Sequence, residues 1–202
     1  FRVQLRALLR AARHGSLRIL FPFVSGVEQL REARRIVAEA TAELGRRGEA
    51  VPPVPIGVMI EIPAAALTAR EVFEVTDFVS LGTNDLAQYV FAADRQVGAV
   101  AALNDPWQPA LLRLIALVGD AARVSGKPAG VCGEAAADPV LACVLVGLGV
   151  SSLSMNVAAI SRVGATLAAV DLDACQAAAD AASRAGSPAA AKLAARTALG
   201  LG

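Results

Sequence analysis

The sequence predicts an α/β fold, a partial (β/α)8 barrel of about five βα units, on three observations. Apolar strand-like runs recur near residues 20, 58, 80, 131 and 153, with segments of helical periodicity between them. No Asn-Gly hairpin signal joins neighbouring strands. Reactive side chains gather where strands end: Phe21-Pro22, Glu61, Thr83-Asn84-Asp85, Cys132-Gly133-Glu134 and Met155-Asn156. Barrel enzymes place their chemistry at that end. Five units suit an open doubly wound sheet or five-eighths of a barrel, and the missing glycine-rich dinucleotide fingerprint weakens the first.

Taken in order, residues 2–13 carry Val3, Leu5, Leu8 and Leu9 among arginines and stop before Gly15, which reads as an amphipathic helix. His14 at its end suits a capping role. Residues 17–23 form the first strand, stopped by Pro22. Ser25 and Glu28 read as a capping box for a helix with apolar Val27, Leu30, Ala33, Val37, Ala40 and Leu44 on one side. Pro52-Pro53 leads into the second strand, 54–60, and a helix is expected from Pro63 to about Val75. The third strand covers 77–82. Residues 83–105, mostly polar or small, read as a long connection, a length usually reserved for function. Asp105 to Gln108 is a capping signal for an apolar helix over 111–124 ending at Gly126, with Trp107 as packing at its start. The fourth strand is 127–132. Asp138-Pro139 opens a short helix, 150–155 is the fifth strand and 160–169 is helical. Asp171 and Ser187-Pro188 open two terminal helices, the last ending near Gly200.

With 202 residues and 55% hydrophobic content, the chain can bury one substantial core. A formal net charge of +1 gives no electrostatic case for nucleic acid or a membrane surface. No apolar run approaches the roughly 20 residues that span a bilayer. Cys132, Cys143 and Cys175 are an odd number without metal-like spacing, so a reducing, cytoplasmic compartment is expected. No signal peptide is expected, and the missing initiator methionine and helix start signal suggest a piece of a longer chain.

Two neighbouring apolar strands each end in a carboxylate, the second strand at Glu61 and the third at Asn84-Asp85. A strand covered on both faces has no place for a charge in its interior, so both acids belong at the mouth of the sheet. Paired carboxylates there make a hard-oxygen site for Mg²⁺ or Mn²⁺. Either acid also suits a helix start, since Pro63 follows Glu61 and Leu86 follows Asp85. Two readings of Cys132 stand: an inert, buried thiol, or a proton donor or acceptor at the mouth. Arg95, which closes the long connection, is a solvated loop arginine or a clamp for an anionic substrate. Cys143 and Cys175 lie within helical segments and read as packing.

Five blocks together resemble a known family: residues 57–63 (GVMIEIP), 80–89 (SLGTNDLAQY), 93–95 (ADR), 131–134 (VCGE) and 153–155 (LSM). They are similar to the phosphoenolpyruvate-binding barrel of enzyme I of the bacterial sugar phosphotransferase system, from residue 1 to about residue 180. Pyruvate phosphate dikinase and phosphoenolpyruvate synthase share several blocks, but residues 88–95 and 147–155 look more like enzyme I. The resemblance implies Mg²⁺ (or Mn²⁺) on Glu61 and Asp85. It implies substrate phosphate on Asn84 and Arg95, and proton exchange with C3 of the enolate at Cys132. It also implies a phosphohistidine domain and a phosphocarrier protein as partners, and a homodimer in the full-length enzyme. Two departures stand out. The chain has no acceptor histidine, His14 being on the wrong element, and the arginine-bearing early strands would precede Phe1. The match therefore assigns residues 1–202 to strands four to eight of the barrel plus terminal helices over 171–200. A Mg²⁺-dependent pyruvate-enolate aldolase is the competing enzyme, though the CGE block argues against it. A non-catalytic dimerisation module is the competing non-enzyme. An opened barrel is expected to dimerise, aggregate or cover its edge strands with the terminal helices.

Overall fold

The computed structural model describes residues 1–201. Five strands form one parallel sheet in chain order: β1 (Ile19–Phe21), β2 (Ile56–Ile60), β3 (Phe78–Gly82), β4 (Ala129–Cys132) and β5 (Ser152–Ser154). A doubly wound sheet reverses its order at a switch point. This order never reverses, so successive right-handed crossovers put their helices on the same face. That is the winding of a barrel, here left open with β1 and β5 as its edges.

Side-chain parity separates the two faces. Through the register, Phe21, Val58, Val79 and Ala129 share one row, and Ile60, Leu81, Val131 and Leu153 another. All but Leu153 are buried in the core with Leu30, Leu44, Phe73, Leu111, Ile115 and Leu141 from the helical layer. The opposite parity presents Leu20, Met59, Phe78, Ser80 and Cys132, half-buried, and Ser152 and Ser154, exposed. Glycines keep this inner face passable. A side chain at Gly57 would strike the Phe78 ring at 2.4 Å.

The outer layer begins with α1 (Arg2–Ala11) and α2 (Val27–Arg46), which pack together. Ion pairs Arg2–Glu39, Arg6–Glu43 and Arg10–Glu49 line their seam. Such solvent-screened surface pairs contribute little. Each buried leucine, such as Leu5, Leu9, Leu30 and Leu44, contributes roughly 1.5–3 kcal/mol, so burial decides the packing. Between β2 and β3 lie α3 (Pro63–Leu67) and α4 (Ala69–Glu74). After β3 come α5 (Thr83–Phe91), a 3₁₀ turn (Ala101–Asn104) and α6 (Pro109–Ser125). After β4 come α7 (Glu134–Ala137) and α8 (Pro139–Gly147). The chain continues through α9 (Val157–Ala168), α10 (Leu172–Ser183) and α11 (Pro188–Ala198).

Several local expectations hold as read. Asp138, Asp171 and Ser187 each accept backbone N–H bonds at the starts of α8, α10 and α11. Gly126 ends α6 in the left-handed conformation. Trp107 is buried, with its indole N–H on Asp138 Oδ2 at 3.2 Å.

Others are corrected. The stretch 83–105 is not a structureless connection, because α5 starts immediately after β3 and Asn104 closes the rest by donating to Ala93 O at 2.8 Å. The second crossover helix breaks at Thr68, which has left helical geometry and bonds back to Ala64 O. Ser25 pairs with Gln29 rather than Glu28, which turns instead to Arg31. Asp105 does not cap α6 but accepts from the Trp107 N–H, and Gln108 takes the cap position. Of the three outcomes expected for the open edges, only cover by the terminal helices is set aside, since these pack mainly on α8 and on each other.

Close helix approach in this layer depends on glycine. A Cβ at Gly119 of α6 would stand 1.7 Å from Leu148 O, while one at Gly164 of α9 would meet nothing within 4 Å. Alanine improves helix propensity by about 1 kcal/mol at either site. Gly164→Ala is therefore expected to stabilise the chain by up to that amount. Gly119→Ala is expected to destabilise it by a net 1–3 kcal/mol, roughly, through overpacking. Thermal melts of the two variants check the opposite signs.

Candidate active site

The mouth of the sheet is built from the residues that follow β2, β3 and β4. β2 ends at Ile60, and Glu61 continues its inner-face parity. Its side chain is 2% exposed. Room for it comes from Gly82 on the neighbouring strand, where a Cβ would stand 2.9 Å from Glu61 Oε2 and 3.1 Å from the Met59 sulfur. Glu61 Oε1 accepts the Phe23 N–H at 2.7 Å. Phe23 follows the β1 strand in left-handed backbone (φ 53°), a strained conformation for a bulky residue that costs on the order of 1–2 kcal/mol. Burial, and then the negative charge of Asp85, push the Glu61 carboxyl above the ordinary carboxylate range, and the Phe23 N–H offsets only part of this.

Asn84 and Asp85 are not the last residues of a strand. They sit in the first turn of α5, where an acid is favoured by the helix dipole. Asp85 Oδ1 lies 3.6 Å from Arg95 Nη2. Asn84 Nδ2 donates to Glu134 Oε2 at 2.6 Å. That bond, the Glu134 backbone N–H and the charge of Arg95 hold the Glu134 carboxyl below its usual range. Cys132, the last residue of β4, is half-buried on the inner face in register with Gly82. Its Sγ donates to Leu81 O at 3.5 Å, and Thr83 Oγ1 donates to Cys132 O at 3.5 Å.

The fold thus gathers Glu61, Asn84, Asp85, Arg95 and Cys132 at the carboxyl end of the sheet. His14 is exposed in the turn between α1 and β1, on the amino side of the first strand. Cys143 and Cys175 are buried together between α8 and α10, and burial pushes the Cys143 thiol up to about 11. Among the described residues no group of three or more His, Cys, Asp and Glu could hold a metal alone. Two carboxylates suit an ion that completes its shell with water and substrate oxygens, as Mg²⁺ does. Sequence reasoning missed three parts of the site. Glu134 stood in the VCGE block without a role. Gly82 entered only as the end of the third strand. The Phe23 N–H left no signal, because its use depends on a contact with Glu61 across the sheet.

Residues 1–172 match the family model described as PEP-utilising enzyme, PEP-binding domain. The phosphoenolpyruvate-protein phosphotransferase of Streptomyces coelicolor is 52% identical over 200 residues, which is 98% of this chain and 34% of that protein. The protein of the same name from Bacillus subtilis is 45% identical over 161 residues, 79% of this chain and 28% of that one. The chain therefore spans about a third of the length of these relatives. Among solved structures, a citrate lyase from Burkholderia xenovorans superposes with a TM-score of 0.61 at 19% identity, covering 98% of this chain and 67% of that one. That likeness concerns the fold, and it agrees with a barrel-type winding. On the match over residues 1–172, the chain belongs to the family of PEP-utilising enzymes, as its PEP-binding domain.

Proposed function

We propose that this chain is the phosphoenolpyruvate-binding catalytic part of a phosphoenolpyruvate-protein phosphotransferase. Residues 1–202 supply strands four to eight of its barrel, with α10 and α11 as terminal helices. The full enzyme transfers the phosphoryl group to a histidine on a separate domain and onward to a phosphocarrier protein for sugar uptake. It acts as a cytoplasmic homodimer, and its free thiols suit a reducing compartment. The names of the relatives support this reading. The observation that carries it is the buried Glu61 carboxyl, raised by burial and then by the negative charge of Asp85, with no ion-pair partner on Glu61 among the described residues.

Glu61 and Asp85 are the residues that would hold Mg²⁺ or Mn²⁺. When bound, the ion neutralises charge that builds on phosphate and enolate oxygens. Arg95 adds a fixed positive charge beside that site, and Asn84, with one amide N–H on Glu134, offers the other to phosphate. The first N–H groups of α5 lack helical partners and favour an anion at its start. Cys132 faces the same space from β4. After the P–O bond breaks, its thiol gives a proton to C3 of the enolate to form the pyruvate methyl group, and the thiolate regains a proton from water. In the reverse direction it removes that proton.

The Glu61 reading has a two-sided test. Its carboxyl is raised in the folded, metal-free chain, so the folded state holds that proton more tightly than the unfolded state. Stability is then complete below the unfolded value, about pH 4, and falls as pH rises through the folded value. Glu61→Gln is expected to melt higher than wild type at neutral pH without metal, and to converge with it in acid. Mg²⁺ is expected to raise the melting temperature of wild type and leave the variant unmoved. Equal stabilisation of both by Mg²⁺ would remove Glu61 from the metal site.

In the full-length enzyme, Cys132→Ala is expected to lower kcat by about 100-fold or more, with a much smaller change in KM, because proton transfer follows substrate binding. An unchanged kcat makes the thiol structural. The isolated 202-residue chain is expected not to autophosphorylate from radiolabelled phosphoenolpyruvate and Mg²⁺, since the phosphate clamp is divided and positioning dominates this chemistry. Stoichiometric label on His14 would defeat that expectation.

A further inference from the structure

The carboxyl end of the sheet divides into two halves that must act on one substrate. The first turn of α5 carries Asn84 and Asp85, and β4 carries Cys132. Three side-chain hydrogen bonds join β3 and α5 on one side to β4 and α7 on the other. Two are long, at 3.5 Å: Thr83 Oγ1 to Cys132 O and Cys132 Sγ to Leu81 O. The third, Asn84 Nδ2 to Glu134 Oε2 at 2.6 Å, is short and charge-assisted, a class roughly twice as strong as neutral bonds.

The backbone is shaped to make that third bond. Gly133 adopts φ +97°, closed to most side chains, so the chain turns sharply after Cys132 and α7 opens with Glu134. The same turn is pinned to β5 through Gly133 N–H on Ser154 O at 3.1 Å. A Cβ at Gly133 would lie 3.6 Å from Asn84 Nδ2, so the turn itself packs against Asn84. An ionised carboxylate only accepts hydrogen bonds, so it holds the NH₂ end of the Asn84 amide toward α7.

We propose that Glu134 is a positioning residue of this site: acting through Asn84, it holds the first turn of α5 in register with the Cys132 thiol. The proposal rests on the functional reading above and deepens it. Glu134 does not touch the reacting atoms. It fixes the distance between the half of the site that holds phosphate and metal and the half that moves the proton. Small displacements of that kind are costly, on the order of 100-fold for about 1 Å.

The test uses the full-length enzyme with phosphoenolpyruvate and Mg²⁺. It reads kcat, KM, the melting temperature and the exchange of pyruvate methyl protons with D₂O. Glu134→Ala is expected to lower kcat and methyl exchange by about 10- to 100-fold while KM changes far less. Glu134→Gln keeps an acceptor oxygen for Asn84 and is expected to recover most of that loss. Combining Glu134→Ala with Asn84→Ala is expected to add almost nothing to Asn84→Ala alone, because both break one contact. If Glu134→Ala melts far below wild type, the Gln variant and the double-variant comparison carry the result. Normal kcat in Glu134→Ala, or a Gln variant no better than Ala, overturns the proposal. So does tighter phosphoenolpyruvate binding by Glu134→Ala, which would mean the carboxylate occupies the place of the substrate phosphate. A wild-type enzyme without Mg²⁺-dependent turnover or exchange would instead overturn the functional reading, and this proposal with it.

Discussion

Five parallel strands in unreversed order can be covered by their own crossover helices on one face only. Most other features of the molecule follow from that constraint. Odd-numbered positions of β1, β3 and β4 and even-numbered positions of β2 meet the helices and are apolar and buried. The other parity faces the barrel interior, where Ser80, Cys132, Ser152 and Ser154 stand among half-buried Leu20, Met59 and Phe78. A thiol and a carboxylate can therefore stand on this sheet without entering the core. The same geometry leaves β1 and β5 as open edges, which a closed barrel would not have.

At the mouth, electrostatics works against the isolated protein. Glu61 is buried beside Asp85 and receives one backbone N–H in compensation. Arg95 balances Asp85, and its charge also reaches Glu134. The result is one buried, destabilised carboxyl, Glu61, near an Asp85–Arg95 pair and a helix start. Phe23 reinforces the point, since its left-handed backbone aims an N–H at Glu61 and is maintained against its own strain. In the proposed function a cation at this mouth would relieve that cost, and so would link the stability of the fold to ligand binding.

The outer layer meets a different demand. Helices α6, α8 and α10 approach so closely that glycine is required at their crossings. A Cβ at Gly147 would stand 2.1 Å from Cys175 O, and one at Gly119 would strike Leu148 O. Cys143 and Cys175 fill the same tight seam as small apolar groups, consistent with the raised thiol of Cys143. The cysteines thus stand in separate places: Cys132 half-buried at the mouth, the other two buried in the helical layer.

The sequence by itself determined what is local. Strand positions were legible from short apolar runs, and the starts of α8, α10 and α11 from Asp138, Asp171 and Ser187, because each cap bonds to residues two or three positions away. Glu61 and Asp85 stood out because a charge closing an apolar run has few places to go. The loop reading of residues 83–105 failed because polar Thr83, Asn84 and Asp85 look like connection, whereas β3 feeds directly into α5, burying Thr83 and half-burying Asn84 and Asp85 at the mouth. What only the tertiary structure decided are the contacts between strands. Phe23 reaches Glu61 across 38 residues, and Asn84 reaches Glu134 across 50. Gly82 matters only because β3 lies beside β2 in one register. Such pairs depend on which strand lies next to which and in what alignment. Burial of the whole helix-facing surface sets that alignment, and no local stretch of the chain encodes it.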